Sequence, residues 1–203
     1  MKIIITGFDP FGGESINPAY EAVRLLPNKI GSAEIIAAEL PTIFGKCAVV
    51  LERLVEQHSP DVVICVGQSG GSRGIAIERV AINIADANIA DNDGNQPVDL
   101  AIIEGGPVAY FSNLPIKAIV MNIKNHGVHA SVSNSAGTFV CNDILYRVLH
   151  LCETKYPNMR GGFIHVPYIP EQVESKPEGT PSMPLEMIVK GLQYAIEAII
   201  SHP

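Results

Sequence analysis

Short apolar runs alternate with stretches of helical period along most of this chain. Ile3–Thr6 reads as a strand closed by Gly7. Asn17-Pro18 reads as a helix start, an N-cap followed by proline at the first helical position, continuing over Ala19–Leu26. Ser32–Glu39 is a second strand. Gly45–Gln57 is helical, with Cys47, Val50, Leu51, Leu54 and Val55 on one face. Asp61–Val66 is a buried strand ending at Gly67, and Ala76–Ile84 is a further β-rich segment. Asp91-Asn-Asp-Gly94 carries the Asp-Gly signal of a hairpin turn. Pro107–Phe111 opens a short helix, Pro115–Lys124 is mixed and ends at His126-Gly127, and Ala130–Val132 is a strand. An amphipathic run from Asp143 to Cys152 follows, then a strand at Gly162–Val166. A terminal helix spans Leu185–Ser201, with Leu185, Ile188, Val189, Leu192, Ile196 and Ile199 on one face. Residues 167–184 hold Pro167, Pro170, Pro177, Pro181 and Pro184 and read as a surface loop, a lid or an interface. Strands alternating with helices imply an α/β protein, a mixed, mostly parallel sheet covered on both faces.

Composition narrows the function classes. The 203 residues suit one domain, 1–203, with no linker or internal repeat. Apolar residues make up 47% and charged residues 17%, which points to thorough burial or a sticky subunit interface. A formal net charge of −7 argues against nucleic acid or an anionic membrane as partner. No apolar run reaches the ~20 residues of a membrane span. The opening Met-Lys-Ile-Ile-Ile-Thr-Gly is too short for a signal sequence, so a cytoplasmic chain with four unpaired cysteines is expected.

Candidate chemistry centres on Cys141. It follows a cluster of small residues, Ser133-Asn-Ser-Ala-Gly137, and precedes the amphipathic run, so it falls in the first turn of a helix. Unpaired N–H groups and the helix dipole there favour a thiolate, the nucleophilic form. A buried structural cysteine at a helix start is an equally ordinary reading of the local pattern. His165 offers a base at the end of a strand that Pro167 closes, where functional groups gather in α/β sheets. The other reading of His165 is a core histidine bonded to a backbone carbonyl. Glu78, flanked by apolar strand residues, is costly to bury without a partner. It either sits solvated on an edge or accepts the His165 ring N–H, fixing the tautomer. Cys47, Cys65 and Cys152 read as small core hydrophobes. His126 and His129 span a glycine and suggest no third ligand, so no metal site is expected.

Two glycine-rich loops follow strands. The first, Gly7–Gly13, carries Phe8 and Phe11, which either pack beneath the loop or line an apolar pocket. The second, Gly67–Gly74, resembles a backbone nest for an anion, though neither loop matches a dinucleotide or P-loop motif.

Three segments are similar to the pyroglutamyl peptidase type I family (pyrrolidone-carboxylate peptidases), which are intracellular cysteine peptidases. They are Gly-Phe-Asp-Pro-Phe-Gly-Gly-Glu-Ser-Ile-Asn-Pro (7–18), Glu-Arg-Val-Ala-Ile-Asn (78–83) and Ser-Asn-Ser-Ala-Gly-Thr-Phe-Val-Cys-Asn (133–142). Gly-Phe-Ile-His-Val-Pro-Tyr (162–168) and Asp-Asn-Asp-Gly-Asn-Gln-Pro (91–97) extend the likeness over nearly the whole chain. The resemblance implies removal of N-terminal pyroglutamate from peptides, with Cys141 as nucleophile, His165 as base and then acid, and Glu78 as orienter. It implies a three-layer α/β/α sandwich of the phosphorylase/hydrolase-like kind, a homotetramer and no cofactor. It also implies that Phe8 and Phe11 sandwich the lactam ring, with Asn17, Thr42, Gln68, Phe139 and Val140 lining or supporting the pocket. Asn88 stands where the family often has an arginine linked to the oxyanion side of the site. Two rival classes are a phosphate-dependent transferase, such as a nucleoside phosphorylase, using the 67–74 loop, and a non-enzymatic subunit.

Overall fold

The N-terminal apolar run becomes strand β1 (Lys2–Phe8), buried from Ile3 to Phe8. Burial of successive residues is what a central strand covered on both faces requires. The structure, a computed structural model, describes residues 1–202. Asn17 caps helix α1 (Pro18–Val23) by accepting the Ala19 N–H at 3.1 Å, and the helix stops short of Leu26. Strands β2 (Lys29–Ile30) and β3 (Ala33–Leu40), helix α2 (Lys46–His58) and strand β4 (Val62–Gln68) follow. The middle of the chain holds β5 (Ile75–Glu78), β6 (Val80–Ile82), β7 (Ala109–Phe111), α3 (Ile116–Asn125) and β8 (Ala130–Ser133). Helix α4 (Val140–Thr154), strand β9 (Arg160–Val166), the single turn α5 (Pro170–Val173) and helix α6 (Leu185–Ser201) come last.

The main sheet has the order β2-β3-β1-β4-β9-β5-β8. β2 runs antiparallel to β3 and β5 antiparallel to β9, while the other neighbours are parallel. Strand alternation divides the core into two layers. Ile3, Ile5, Val62, Ile64 and Ile77 face α1, α3 and α6. Ile4, Val63, Cys65 and Phe163 face α2 and α4. The sheet is therefore mixed, mostly parallel and covered by helices on both sides. From β1 the chain passes first to β3 by way of α1, then to β4 on the other side by way of α2, whose helix lies on the opposite face. The gap beyond the ends of β1 and β4 is thus a topological switch point, where open α/β sheets bind ligands.

Several segments depart from the local pattern. Ala76–Ile84 is not one strand but breaks at Arg79: β5 joins the main sheet, and β6 joins a separate two-stranded sheet with β7. Pro107–Phe111 does not open a helix. Val80 pairs with Phe111 and Ile82 with Ala109, and this cross-strand partner decides an ambiguous segment in favour of strand. Pro115–Lys124 resolves into α3, whose Ile119 and Ile123 lie one turn apart against the core. The Asp91–Gly94 turn forms, but no strands flank it. The Asp91 carboxylate instead accepts the N–H groups of Phe44, Asp93 and Asn95 and closes the loop on itself. The 167–184 segment contains the one-turn helix α5. Among the described residues no helix is long and apolar enough to cross a membrane.

Candidate active site

Parity along the strands gathers the reactive groups on one side of the sheet. Ile77 and Ile164 pair across β5 and β9 and face the α1–α3–α6 layer, so Glu78 and His165 face α4. Ala76 lies opposite His165, which sets Glu78 on the diagonal, within reach of a long side chain. His165 Nδ1 and Glu78 Oε1 are 2.7 Å apart. Both side chains are buried, Glu78 at 2% exposure and His165 at 7%, so the edge-strand reading of Glu78 and the backbone-bonded reading of His165 both fall away. A carboxylate on Nδ1 places the Nδ1–H there and leaves Nε2 as the ring's second functional nitrogen.

Cys141 occupies the second position of α4, after Phe139 as N-cap and Val140. No side chain caps this helix, and the Cys141 N–H donates to no acceptor among the described residues. The thiol lies over β4: a methyl group on Gly67 would stand 2.9 Å from Cys141 Sγ and 2.6 Å from the Phe163 ring. Glycine at 67 is therefore what lets the helix start approach the sheet beside His165, since Gly67 and His165 are paired. Burial acts first on His165 and works against its protonated form. The nearby Cys141 sulfur and the Glu78 carboxylate together outweigh it and push the ring up to about 9. Burial pushes the thiols of Cys65 to about 12 and Cys152 to about 11, and that of Cys47 well up from its ordinary value. These three cysteines are core residues, whereas Cys141 is partly exposed.

Next to the thiol is a narrow, tightly closed cleft, lined by Phe8, Phe11, Asn17, Thr42, Gln68, Phe139, Val140 and Cys141. It sits at the switch point: Phe8 ends β1 and Gln68 ends β4. Phe8 is buried, while Phe11 is partly exposed and meets Phe139 at 6.0 Å between ring centroids. Among the described residues, no carboxylate lines the cleft. Asn17 and Thr42 converge on the Asp9 carbonyl, at 2.9 and 3.1 Å, and Asp9 Oδ1 accepts the Thr42 N–H at 2.7 Å. They brace the Phe8–Phe11 loop.

Several bracing residues carry no signal in the sequence pattern. Phe44 packs edge-on against Phe139, and its N–H is held by Asp91. Asn92 reaches Asp9 Oδ1 and the Pro10 carbonyl. Asn142, beside the thiol, accepts the Ile82 N–H and donates to the Ile82 and Ile84 carbonyls, tying β6 to the start of α4. A free-standing Asn or Asp reads as a turn or cap residue, so only its partners across the fold reveal these roles. Asn88 is exposed. In the 67–74 loop the Ser69 and Ser72 N–H groups are already spent on Val166 and Ser69 carbonyls, which weakens the loop as an anion nest. Among the described residues, no group of three His, Cys, Asp or Glu side chains is arranged to hold a metal.

The profile of the pyroglutamyl peptidase family matches residues 1–202. The chain belongs to this family. It is 58% identical over 200 residues to a pyrrolidone-carboxylate peptidase of Clostridium perfringens, covering 98% of this chain and 93% of that protein. Another pyrrolidone-carboxylate peptidase, from Enterococcus faecalis, is 56% identical over 200 residues, with the same coverage. The crystal structure of pyroglutamyl peptidase I from Bacillus amyloliquefaciens superposes with a TM-score of 0.96 at 50% identity, covering 99% of this chain and 97% of that one. A mutant pyrrolidone carboxyl peptidase from the hyperthermophile Pyrococcus furiosus superposes equally well at 44% identity, covering 100% and 99%. The pyroglutamyl peptidase fold thus spans the described chain, and the switch-point cleft falls within it.

Proposed function

We propose that this protein is a cysteine peptidase that removes N-terminal pyroglutamate from peptides, with Cys141, His165 and Glu78 as its catalytic residues. The observation that carries the reading is the buried Glu78–His165 pair at 2.7 Å, set against a thiol at an uncapped helix start beside an aromatic cleft. In this reading the Cys141 thiolate attacks the carbonyl carbon of the pyroglutamyl residue and a C–S bond forms. The negative charge moves to the carbonyl oxygen, which the Cys141 N–H is free to receive. The His165 imidazolium gives its Nε2 proton to the departing amine as the C–N bond breaks. Water then attacks the thioester, His165 takes its proton, and pyroglutamate leaves as sulfur departs as the thiolate. Glu78 holds the ring tautomer and supports the imidazolium throughout. No step calls for a metal or cofactor.

The cleft supports the substrate class. Pyroglutamate is a flat, neutral lactam with no N-terminal ammonium. Phe8, Phe11, Phe139 and Val140 offer apolar surface, with Asn17, Thr42 and Gln68 as bracing or polar groups. An ammonium brought here finds no carboxylate partner, at a cost of several kcal/mol. We further read residues 1–203 as one peptidase domain, acting in the cytoplasm as a homotetramer. Exposed Val98, Leu100, Val108, Phe111 and Met121 are apolar surface that subunit contacts would cover. The test is hydrolysis of a fluorogenic pyroglutamyl amide beside prolyl, glutaminyl and alanyl amides. Turnover of the pyroglutamyl amide alone is expected. Equal turnover of the glutaminyl amide refutes the lactam cleft.

A further inference from the structure

The segment after β9 reaches back to the cleft through one buried side chain, Gln172, which is 5% exposed. Its contacts leave a single way to orient its amide. The Ile169 backbone N–H can only donate, and it lies 3.2 Å from Gln172 Oε1. The other edge of the amide is therefore the donor. It meets three acceptors: Gln68 Oε1 at 2.8 Å, Glu14 Oε2 at 3.3 Å and the Ile16 carbonyl at 3.3 Å. Because Gln172 Nε2 can only donate, the Gln68 atom facing it must be the oxygen. Gln68 lines the cleft, and its own amide N–H2 has no hydrogen-bond partner among the described residues. The chain of constraint runs from a backbone N–H through Gln172 to Gln68, a residue that lines the cleft and whose amide donors are unspent among the described residues.

The surroundings hold Gln172 in place. Lys176 pairs with Glu14 Oε1 at 2.6 Å and lies 4.6 Å from the Tyr168 ring centroid. The Tyr168 ring occupies the space that a side chain on Gly70 would need, only two residues after Gln68. The 167–184 segment is thus clamped to Gln68 and Gly70 of the second glycine-rich loop and to Glu14 and Ile16, which follow the first.

We propose that Gln172 is a positioning residue that turns the Gln68 amide so that its N–H2, rather than its oxygen, faces the cleft and donates to the ring carbonyl of a bound pyroglutamyl group. This rests on the lactam reading of the cleft but not on the peptidase chemistry. Without Gln172, Gln68 is free to present its oxygen, which repels the ring carbonyl.

The test is a binding cycle on Gln172→Met, Gln68→Met and the double variant. Free 5-oxoproline slows alkylation of Cys141 by iodoacetamide, and its concentration dependence yields a Kd without any turnover. Gln172→Met is expected to raise that Kd, and the KM for a pyroglutamyl amide, by roughly 3–10-fold, the loss of about one neutral hydrogen bond, with kcat nearly unchanged. In the Gln68→Met background the same change should add nothing, because it acts through Gln68. An unchanged Kd, or the same fold loss in both backgrounds, overturns the proposal. If Gln172→Met does not fold, Gln172→Glu decides. It keeps an acceptor for Ile169 but forces Gln68 to rotate, and an unaltered Kd there is equally fatal. Wild-type protein that 5-oxoproline protects but that cleaves no pyroglutamyl amide removes the peptidase reading and leaves this one standing. Absence of protection in the wild type removes this one.

Discussion

Replacing Glu78 with Gln keeps the side-chain shape and removes only its charge, so it isolates what the carboxylate does for His165. The ring stands at about 9 although burial alone would carry it below the ordinary 6.5, because Cys141 and Glu78 together overcome that burial. One pKa unit is about 1.36 kcal/mol, so the favourable interactions amount to several kcal/mol shared between the two partners. Removing one of them, and leaving the tautomer free to change, should lower kcat by about 10²–10⁴-fold, or roughly 2.7–5.4 kcal/mol. The assay is kcat/KM for a pyroglutamyl amide as a function of pH. In the wild type the alkaline limb should fall near pH 9, where the imidazolium loses its proton. In Glu78→Gln the burial remains and only Cys141 opposes it, so that limb should move downward or vanish. The same shift sets a stability window. The folded-state value is raised, so the stabilisation is complete below about 6.5 and is lost as pH rises through about 9. The wild-type Tm should therefore decline across that interval, with a flatter decline in Glu78→Gln. His165→Ala should be at least as damaging, and the double variant no worse than His165→Ala, because the two residues act as one unit. A Glu78→Gln protein with wild-type kcat and an unmoved alkaline limb would refute the reasoning and leave a Cys141–His165 dyad.

Iodoacetamide at neutral pH should modify Cys141 first, with activity lost in step, because Cys47, Cys65 and Cys152 are buried and their thiols pushed up. Cys141→Ser should fold but be nearly inactive, while single alanine replacements of the other three keep most activity per folded molecule. Mass spectrometry of the alkylated protein beside residual rates checks both statements, and full activity in Cys141→Ser would sink the mechanism. Gly67→Ala should push the thiol and the Phe163 ring away from β4 and lower kcat by about tenfold or more, since misplacement of reacting groups by about 1 Å costs up to 10²-fold. Rates together with circular dichroism test this, and wild-type kcat in a folded Gly67→Ala protein would show that the thiol does not need that approach.

Local chemistry alone settled a good part of this molecule. Asn17-Pro18 starts a helix because a side-chain acceptor and a proline meet the needs of a first turn wherever they stand. The apolar period of Leu185–Ser201 marks α6 to its ends, because a long amphipathic helix repeats its signal over many residues. The small residues before Cys141 place the thiol at a helix start for the same local reason. Other features belong only to the folded chain. Whether 107–111 becomes helix or strand depended on β6 arriving beside it, since short ambiguous segments follow their partner. From the residues themselves Glu78 was equally a solvated edge carboxylate. Its burial and its bond to His165 exist because β5 enters antiparallel beside β9, a sheet order that no local pattern encodes. Gln172, Asn142 and Asp91 are ordinary polar residues in the chain, and their work appears only where the fold aims each amide or carboxylate at a partner more than 40 residues away. Hydrophobic period and capping act over one or two turns and so are legible in sequence. The pairing of buried polar groups is decided by which elements meet, and that is settled only when the whole sheet is assembled.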